Sequence, residues 1–206
     1  MTERDHLITT RNPFALPSGV LGRLAGWVMS RDDSQHREVA GRLAPVTGAM
    51  VCEVGCGPGQ LLVSLAGGDP SVRVCGVDPS PVMLRQARAR VDRAGVTDRV
   101  DLRPGTAGAL PLPDAEMDYV VAVNSVAIWP DLTAGLREAN RVLRPGGTVL
   151  IAWHAARSPH WIQRRLARPD AWWDQMLAVT RTLFLNVARQ DLLRVTTVIE
   201  VKPPAA

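Results

Sequence analysis

The chain has 206 residues, of which 46% are hydrophobic and 21% are charged. This length and apolar content predict a single folded domain with a substantial core. No apolar stretch approaches the ~20 residues needed to span a bilayer, and the polar N-terminal residues do not resemble a signal peptide. We therefore expect a soluble, cytoplasmic protein without a membrane span.

The formal net charge is +4, but the positive residues are scattered along the chain and form no basic block. Lys202 is the only lysine among the 24 basic residues. A nucleic-acid partner is expected to require Lys and Arg clustered on one face. The charge therefore does not favour a nucleic-acid partner.

Three cysteines, Cys52, Cys56 and Cys75, lie in or next to two predicted core strands. The number is odd, and no second Cys/His pair completes a zinc-binding set. We expect buried free thiols and no metal site.

Residues 1–45 precede the regular part of the sequence. Residues 1–17 are polar and interrupted by prolines, which is typical of an irregular arm. Apolar residues then recur at helical spacing within 21–28 and again within 39–43. Glycines weaken the first of these helices. The pattern is compatible with a plain packing helix and with a lid over a binding site.

From residue 46 onward, strand-sized apolar runs alternate with helical patterns. This alternation predicts an α/β fold with a parallel sheet and right-handed crossovers. The predicted strands are 50–54, 72–77, 100–104, 118–123 and 148–153, and the predicted helices are 60–66, 81–94 and 132–143. A further helix over 171–185 and a terminal hairpin of 186–191 with 195–201 are expected to follow.

Glycines at 55, 57 and 59 directly follow the first predicted strand. Glycine permits a sharp turn and has no side chain in the way, so a nucleotide can lie against backbone N–H groups at the following helix N-terminus. The dinucleotide fingerprint would place its third small residue at Gln60, and glutamine is too large for that packing. A nicotinamide-dependent oxidoreductase is therefore the less favoured alternative.

Two further features lie at strand ends. Asp78 directly follows the second predicted strand, at its carboxyl end, where a carboxylate can accept both ribose hydroxyls of an adenosine. Its alternative role is to cap the next helix. The turn Arg-Val-Leu-Arg-Pro-Gly-Gly at 141–147 precedes the fifth strand.

The pattern Glu-x-Gly-x-Gly-x-Gly at 53–59, Asp78 and the turn at 141–147 together resemble the class I S-adenosylmethionine-dependent methyltransferases, over roughly residues 46–155. The resemblance implies a Rossmann-like, doubly wound, mostly parallel seven-stranded sheet with a C-terminal antiparallel hairpin. It implies a methyltransferase domain at 46–206, preceded by an arm and helical lid at 1–45. It also implies S-adenosylmethionine as the cofactor.

The resemblance carries over to specific positions. The cofactor-binding residues that it implies are Glu53, Gly55, Cys56, Gly57, Gly59, Asp78, Pro79, Met83, Gly105, Thr106, Ala107 and Asn124. Thr106 is a departure, because many relatives have an acid there that accepts the adenine amino group. Either the threonine hydroxyl or the backbone is expected to take over that hydrogen bond.

The branch that this chain resembles methylates small molecules and includes quinone-biosynthesis C-methyltransferases. Enzymes that methylate amino groups of nucleic acids and proteins usually carry an Asn- or Asp-Pro-Pro-aromatic run after the fourth strand, and residues 124–127 are Asn-Ser-Val-Ala. We expect direct methyl displacement onto a small hydrophobic or aromatic acceptor. A binding protein of the same fold without transfer activity is the alternative.

The acceptor side is predicted from residues near the strand ends. His154 follows the fifth strand and is the candidate general base, and the favoured alternative is a histidine that only lines the pocket or caps the strand. Trp27, Trp129 and Trp153 are the candidate acceptor-binding residues, with core packing as the alternative for each.

Overall fold

The computed structural model describes residues 34–184, 186–192 and 195–201. The strands are β1 Met50–Val54, β2 Arg73–Asp78, β3 Val100–Pro104, β4 Met117–Val123, β5 Leu143–His154, β6 Ala188–Asp191 and β7 Val195–Val201. The helices are α1 Ser34–Leu43, α2 Gln60–Ala66, α3 Pro81–Ala94, α4 Leu132–Val142, α5 Trp161–Leu166 and α6 Asp170–Thr180. Two short 3-10 turns lie at Thr97–Arg99 and Val126–Ile128.

The strands form one sheet in the order β3-β2-β1-β4-β5-β7-β6. The first five strands run parallel, which confirms the predicted Rossmann-like parallel sheet. β7 pairs antiparallel with both β5 and β6. The strand order reverses between β1 and β4, and in such sheets ligands bind in the crevice at the carboxyl ends of the strands around this point.

Both faces of the sheet are buried. Successive residues of a strand point to opposite faces, so Val51 of β1 joins a core cluster with α1, α2 and α3, while Cys52 and Val54 join a second cluster with α4 and α6. Burial on both faces explains why the parallel strands are almost continuously apolar in sequence. The three cysteines are buried free thiols, as expected.

β5 is longer than predicted. It begins at Leu143, which pairs with Met117, and the register with β4 shifts before Tyr119 pairs with Thr148. Residues 143–147 of the predicted turn are therefore an irregular start of the strand rather than a separate connection, and the first two residues of the turn end α4. Gly146 has φ of 79°, a left-handed value that favours glycine.

The tail also differs from its prediction. The helix expected over 171–185 is α6, which is preceded by the unpredicted helix α5. The residue before a proline disfavours the helical region, so Pro169 separates the two helices and stands at the N-terminus of α6. The hairpin strand expected from residue 186 begins at Ala188. Within the described parts of the chain, no helix is both long and apolar enough to cross a membrane.

Candidate functional site

The glycine loop between β1 and α2 makes the sharp turn that its sequence predicts. Gly55, Gly57 and Gly59 have φ values of 76°, 50° and 81°. A Cβ atom at Gly55 would lie 2.5 Å from Cβ of Ser125, and one at Gly59 would lie 3.0 Å from Cβ of Ala87. The loop is therefore held between Ser125, two residues after the end of β4, and Ala87 of helix α3. Two of its glycines are required by packing within the protein.

The first three backbone N–H groups of this loop donate hydrogen bonds within the protein. Those of Gly55 and Cys56 donate to the carbonyl of Val77 at 2.7 and 3.1 Å. The N–H of Gly57 donates to Oδ2 of Asp78 at 2.9 Å. These three N–H groups therefore hold the loop in place, and the contact between a ligand and the N–H groups at the N-terminus of α2 stays a prediction.

Asp78 joins the end of β2 to this loop. Its Oδ1 accepts a hydrogen bond from the N–H of Ser80 at 2.8 Å, and its Oδ2 accepts the one from Gly57. Burial raises the pKa of Asp78, and these two hydrogen bonds oppose the rise. Each carboxylate oxygen has a further lone pair for a ribose hydroxyl. Helix α3 is capped by Ser80, whose Oγ accepts from the N–H of Met83.

Glu53 is a buried carboxyl group in β1, with 2% of its surface exposed. Its Oε2 has no hydrogen-bond partner among the residues that the structure describes. Burial raises the pKa of Glu53 well above its ordinary value, and the nearby Asp78 raises it further. A buried acceptor of this kind is costly unless a donor reaches it.

The remaining residues assigned to the cofactor follow β1, β2 and β3 at the same edge of the sheet. Cys56 and Met83 are buried, whereas Pro79 and Thr106 are exposed. A Cβ atom at Gly105 would lie 2.7 Å from Cδ of Pro111, so this glycine is needed for packing. Beside it, Thr106 forms a short antiparallel bridge with Ala109, and Ala107 is buried in the core. Of the three residues predicted here, Thr106 is the exposed one, Gly105 is partly buried and Ala107 is buried.

Asn124 and His154 are linked by a residue that the sequence did not single out. Gln35 of α1 accepts a hydrogen bond from Nδ2 of Asn124 at 3.1 Å. The Nε2 of Gln35 lies 2.8 Å from Nδ1 of His154. Asn124 has a left-handed φ of 53°, and its Oδ1 is buried without a partner within the described ranges. These contacts bring the carboxyl ends of β4 and β5 together with the N-terminal region.

His154 is held in its neutral form. Burial lowers the pKa of His154 to about 4, with smaller contributions from the charges of His36 and Arg168. Because Nδ1 accepts from the Gln35 amide in the assigned amide orientation, Nε2 carries the ring proton. In this arrangement the histidine is a hydrogen-bond donor at Nε2.

The tryptophans predicted on the acceptor side have different environments. The Nε1 of Trp153 donates to the carbonyl of Leu166 at 2.8 Å, and its ring lies 5.8 Å from that of His154. Trp129 is instead packed in the core, where a Cβ atom on Gly135 would lie 2.5 Å from its ring. The missing side chain of Gly135 makes room for that ring, so its burial favours the packing alternative. Trp27 lies outside the described residues.

The donor and acceptor groups of this edge fit S-adenosylmethionine, which carries a sulfonium, an ammonium group and two ribose hydroxyls. Three residues supply acceptors: Glu53, Asp78 and Asn124. The oxygens of Glu53 and Asn124 that lack partners within the described part of the chain need donors. A ligand that is cationic and rich in donors satisfies both requirements.

Comparison with known proteins agrees with this geometry. The methyltransferase-domain family matches residues 51–147, which include the glycine loop and Asp78. YdaC of Bacillus subtilis, an uncharacterized methyltransferase, is 33% identical over 129 residues, which cover 62% of this chain and 69% of YdaC. The ubiquinone biosynthesis O-methyltransferase of Methylobacterium sp. (strain 4-46) is 36% identical over 108 residues, covering 52% of this chain and 42% of that protein. This chain thus spans less than half the length of the latter relative.

A solved structure shares the fold along almost the whole chain. It is that of a protein from Methanococcus maripaludis assigned to the S-adenosyl-L-methionine-dependent methyltransferases. The TM-score is 0.79 at 18% identity, and the match covers 96% of this chain and 98% of that one. The family match and the identity to YdaC establish the relationship: the chain belongs to the class I S-adenosylmethionine-dependent methyltransferases.

Proposed function

We propose that this chain transfers the methyl group of S-adenosylmethionine to a small hydrophobic or aromatic acceptor by direct displacement. The observation that carries the proposal is the set of acceptor side chains on β1, β2 and the residue after β4, namely Glu53, Asp78 and Asn124. Two of them, Glu53 and Asn124, have a buried oxygen without a partner among the residues described. Such oxygens favour a ligand with several donors and a positive charge.

In this proposal, different site residues bind different parts of the cofactor. Asp78 accepts the ribose hydroxyls with the lone pairs that Gly57 and Ser80 leave unused. Glu53 accepts from the donors of the methionine part. The turn containing Thr106 contacts the adenine, with the threonine hydroxyl or the backbone replacing the acid found in relatives.

Alignment is the main catalytic contribution that we propose. Bound S-adenosylmethionine supplies an electrophilic methyl group that an acceptor nucleophile can displace. Holding that nucleophile in line and about 3 Å away contributes roughly 7–11 kcal/mol through orientation alone. The chain therefore needs to hold the two reactants and exclude water, and the transfer does not require a catalytic side chain.

His154 fits a role in alignment better than a role as general base. A pKa of about 4 means that the ring is a weak base at neutral pH, and its Nδ1 is already hydrogen-bonded to Gln35. The neutral ring can instead orient an acceptor through Nε2–H. We retain base catalysis as the alternative for acceptors whose nucleophile must lose a proton.

The acceptor class is inferred from two observations. The tryptophan cluster of Trp153, Trp172 and Trp173 makes the region under the end of β5 apolar. One relative is named as an O-methyltransferase of ubiquinone biosynthesis, a small-molecule pathway. Both support a small hydrophobic or aromatic acceptor for this chain.

Residues 1–45 are proposed to cover the acceptor side of this domain. The described part of this region is α1, which packs against α2 and contacts β7. Its Gln35 reaches His154 and Asn124, and its Arg42 donates to Oε1 of Gln190 at 3.0 Å. These contacts support a lid that closes near the acceptor rather than over the adenosine.

The proposed function is tested by binding followed by transfer. Calorimetry should show binding of S-adenosylmethionine and S-adenosylhomocysteine and no binding of NADH. Incubation with methyl-labelled S-adenosylmethionine and fractionated host extract should then label a small organic molecule. Cofactor binding without label in any fraction would instead support a binding protein without transfer activity, and NADH binding alone would contradict the proposal.

The lid is tested by deleting residues 1–30. The truncated protein should bind S-adenosylmethionine within a few-fold of the full chain, because the proposed cofactor residues all lie in β1 or after it. Its KM for the acceptor should rise, or turnover should be lost, because the acceptor side is left open. A truncated protein that turns over acceptor normally but loses cofactor affinity would show that this region belongs to the cofactor site.

Substitution of Glu53 by Gln tests the buried carboxyl group. Its raised pKa means that stability falls as pH rises above the ordinary value of 4.5, since the unfolded chain loses the proton first. Glutamine does not ionise, so the Glu53→Gln variant does not lose stability in this way. Without cofactor, its Tm at pH 8 should therefore be higher than that of the unsubstituted chain. It should also weaken S-adenosylmethionine binding by roughly tenfold or more, because a charged hydrogen bond is lost.

The matched control is Glu116→Gln. Glu116 also has a buried oxygen without a partner among the described residues, but it precedes β4 and so lies at the opposite edge of the sheet. Its substitution should leave cofactor affinity unchanged. Equal losses of affinity in the two variants, measured by calorimetry, would count against a direct role for Glu53.

The state of His154 is tested by an NMR titration of the histidine ring protons. The midpoint for His154 should lie near pH 4. Gln35→Glu should raise it by about one unit or more, because a carboxylate beside Nδ1 stabilises the charged ring. Gln190→Glu, the same change at an exposed site, should not move it. A midpoint near pH 6.5 that is the same in the unsubstituted chain and in Gln35→Glu would contradict the buried contact between Gln35 and His154.

A further inference from the structure

Three side chains, Asn124, Gln35 and His154, form a hydrogen-bonded amide network at the carboxyl ends of β4 and β5. The Nδ2 of Asn124 donates to Oε1 of Gln35 at 3.1 Å. The Nε2 of Gln35 lies 2.8 Å from Nδ1 of His154 and donates to it in the assigned amide orientation. Gln35 is buried, with 3% of its surface exposed. Both hydrogen bonds of the amide network therefore run in one direction, from Asn124 towards His154.

The Asn124 end of the amide network lies next to the glycine loop. The Oγ of Ser125, the following residue, donates to the carbonyl of Val54 at 2.6 Å, and its Cβ lies 2.5 Å from where a Cβ on Gly55 would be. Asn124 follows β4 and Gly55 follows β1, the strands between which the strand order reverses. Ligands of such sheets bind at this point. The buried Oδ1 of Asn124, which has no partner among the described residues, is placed to accept from the cofactor.

The amide network has two possible directions. A carboxamide has an oxygen on one side and an NH2 group on the other, so turning both amides over gives the same number of hydrogen bonds. In that reverse direction Nδ1–H of His154 donates to Gln35, and Gln35 donates to Asn124. The two directions correspond to the two neutral tautomers of His154. The present direction gives His154 a donor at Nε2, and the reverse direction gives it a lone pair there.

A cofactor with an ammonium group and a sulfonium selects the present direction. The Oδ1 of Asn124 is available to a ligand only while Nδ2 donates to Gln35, and an oxygen is favoured beside a positive charge. In the reverse direction Asn124 would turn its NH2 group towards the cation. Burial and the charges of His36 and Arg168 lower the pKa of His154 to about 4, so the ring is neutral at pH 8. The direction of the amide network therefore decides which ring nitrogen carries the proton.

We propose that Gln35 is a positioning residue, through which Asn124 with the cofactor bound holds His154 as an Nε2–H donor. This inference rests on the proposed function, in which Asn124 binds the cofactor and His154 orients the acceptor. It narrows the acceptor to a molecule that offers His154 a lone pair, such as a carbonyl oxygen or the oxygen of an ionised phenol. Because Gln35 belongs to α1, the proposed lid region supplies the link between the two reactants.

The test determines the tautomer of His154 by NMR of the 15N-labelled histidine rings in the full chain at pH 8. Spectra are recorded with and without S-adenosylhomocysteine, which keeps the ammonium group and the ribose hydroxyls of the cofactor. His154→Ala identifies the signals of this ring. The Nε2–H form should predominate in the complex, and its share should be at least as high there as in the free protein.

Asn124→Asp tests the amide network from its far end, because Asn124 is hydrogen-bonded to Gln35 rather than to His154. A carboxylate cannot donate, so Gln35 must turn its NH2 group towards it and accept from Nδ1–H of His154. The predominant tautomer should therefore change from Nε2–H to Nδ1–H. Aspartate is tolerated at the left-handed φ of 53° of this position. The control Asn140→Asp makes the same change near the end of α4, at the opposite edge of the sheet, and should leave the tautomer unchanged.

Gln35→Met removes the hydrogen bonds of the amide side chain and keeps a similar length. In this background Asn124→Asp should no longer change the tautomer of His154. The control Gln190→Met removes a different contact of α1, the hydrogen bond from Arg42, and should leave the response to Asn124→Asp intact. If Gln35→Met does not fold, the response to Asn124→Asp alone still decides the test.

The inference is overturned if His154 is mainly in the Nδ1–H form in the complex, or if S-adenosylhomocysteine lowers the share of the Nε2–H form. It is also overturned if Asn124→Asp leaves the tautomer unchanged, or changes it equally in the Gln35→Met background. Calorimetry with S-adenosylhomocysteine is scored separately. Absence of binding to the unsubstituted chain refutes the proposed function, whereas normal binding with a tautomer that does not respond to Asn124→Asp refutes only this inference.

Discussion

The hydrogen bond from the N–H of Gly57 to the carboxylate of Asp78 is the contact on which the site depends. It joins the loop after β1 to the end of β2, and the same carboxylate holds the N–H of Ser80 at the start of α3. Three elements are thereby fixed by one buried side chain. In surroundings of low polarity such bonds are stronger than in water, and an unpaired N–H is costly. The shape of the cofactor surface therefore depends on Asp78 as much as on the glycines.

Features set by local sequence were predictable. The strands of a parallel sheet are buried on both faces, so their apolar runs stand out, and β1 and β3 have the predicted bounds. The glycines at 55, 57 and 59 predicted a sharp turn because left-handed φ values favour glycine. The position of Asp78 at the end of β2 followed from the same alternation of elements. Each of these inferences depends on neighbours in sequence.

Features set by distant contacts were not predictable. Gln35 and His154 are 119 residues apart in the chain, and no spacing in the sequence relates them. The N–H groups of Gly55 and Cys56 both donate to the carbonyl of Val77 on the neighbouring strand, a contact that the spacing of the glycines does not predict. The direction of the Trp129 ring depends on the space left by Gly135. Each case is decided by which residues the sheet brings together.

The central claim is that the buried acceptor oxygens of Glu53, Asp78 and Asn124 are placed to bind S-adenosylmethionine. Without the cofactor, the oxygens of Glu53 and Asn124 have no donor among the described residues, which costs stability. A crystal structure of the protein with S-adenosylhomocysteine tests it most directly. The claim requires the ribose hydroxyls within hydrogen-bond distance of Asp78, and a ligand or ordered-water donor on Oε2 of Glu53. A nucleoside bound elsewhere, with Asp78 contacted only by Gly57 and Ser80 and Oε2 of Glu53 still without a donor, would contradict it.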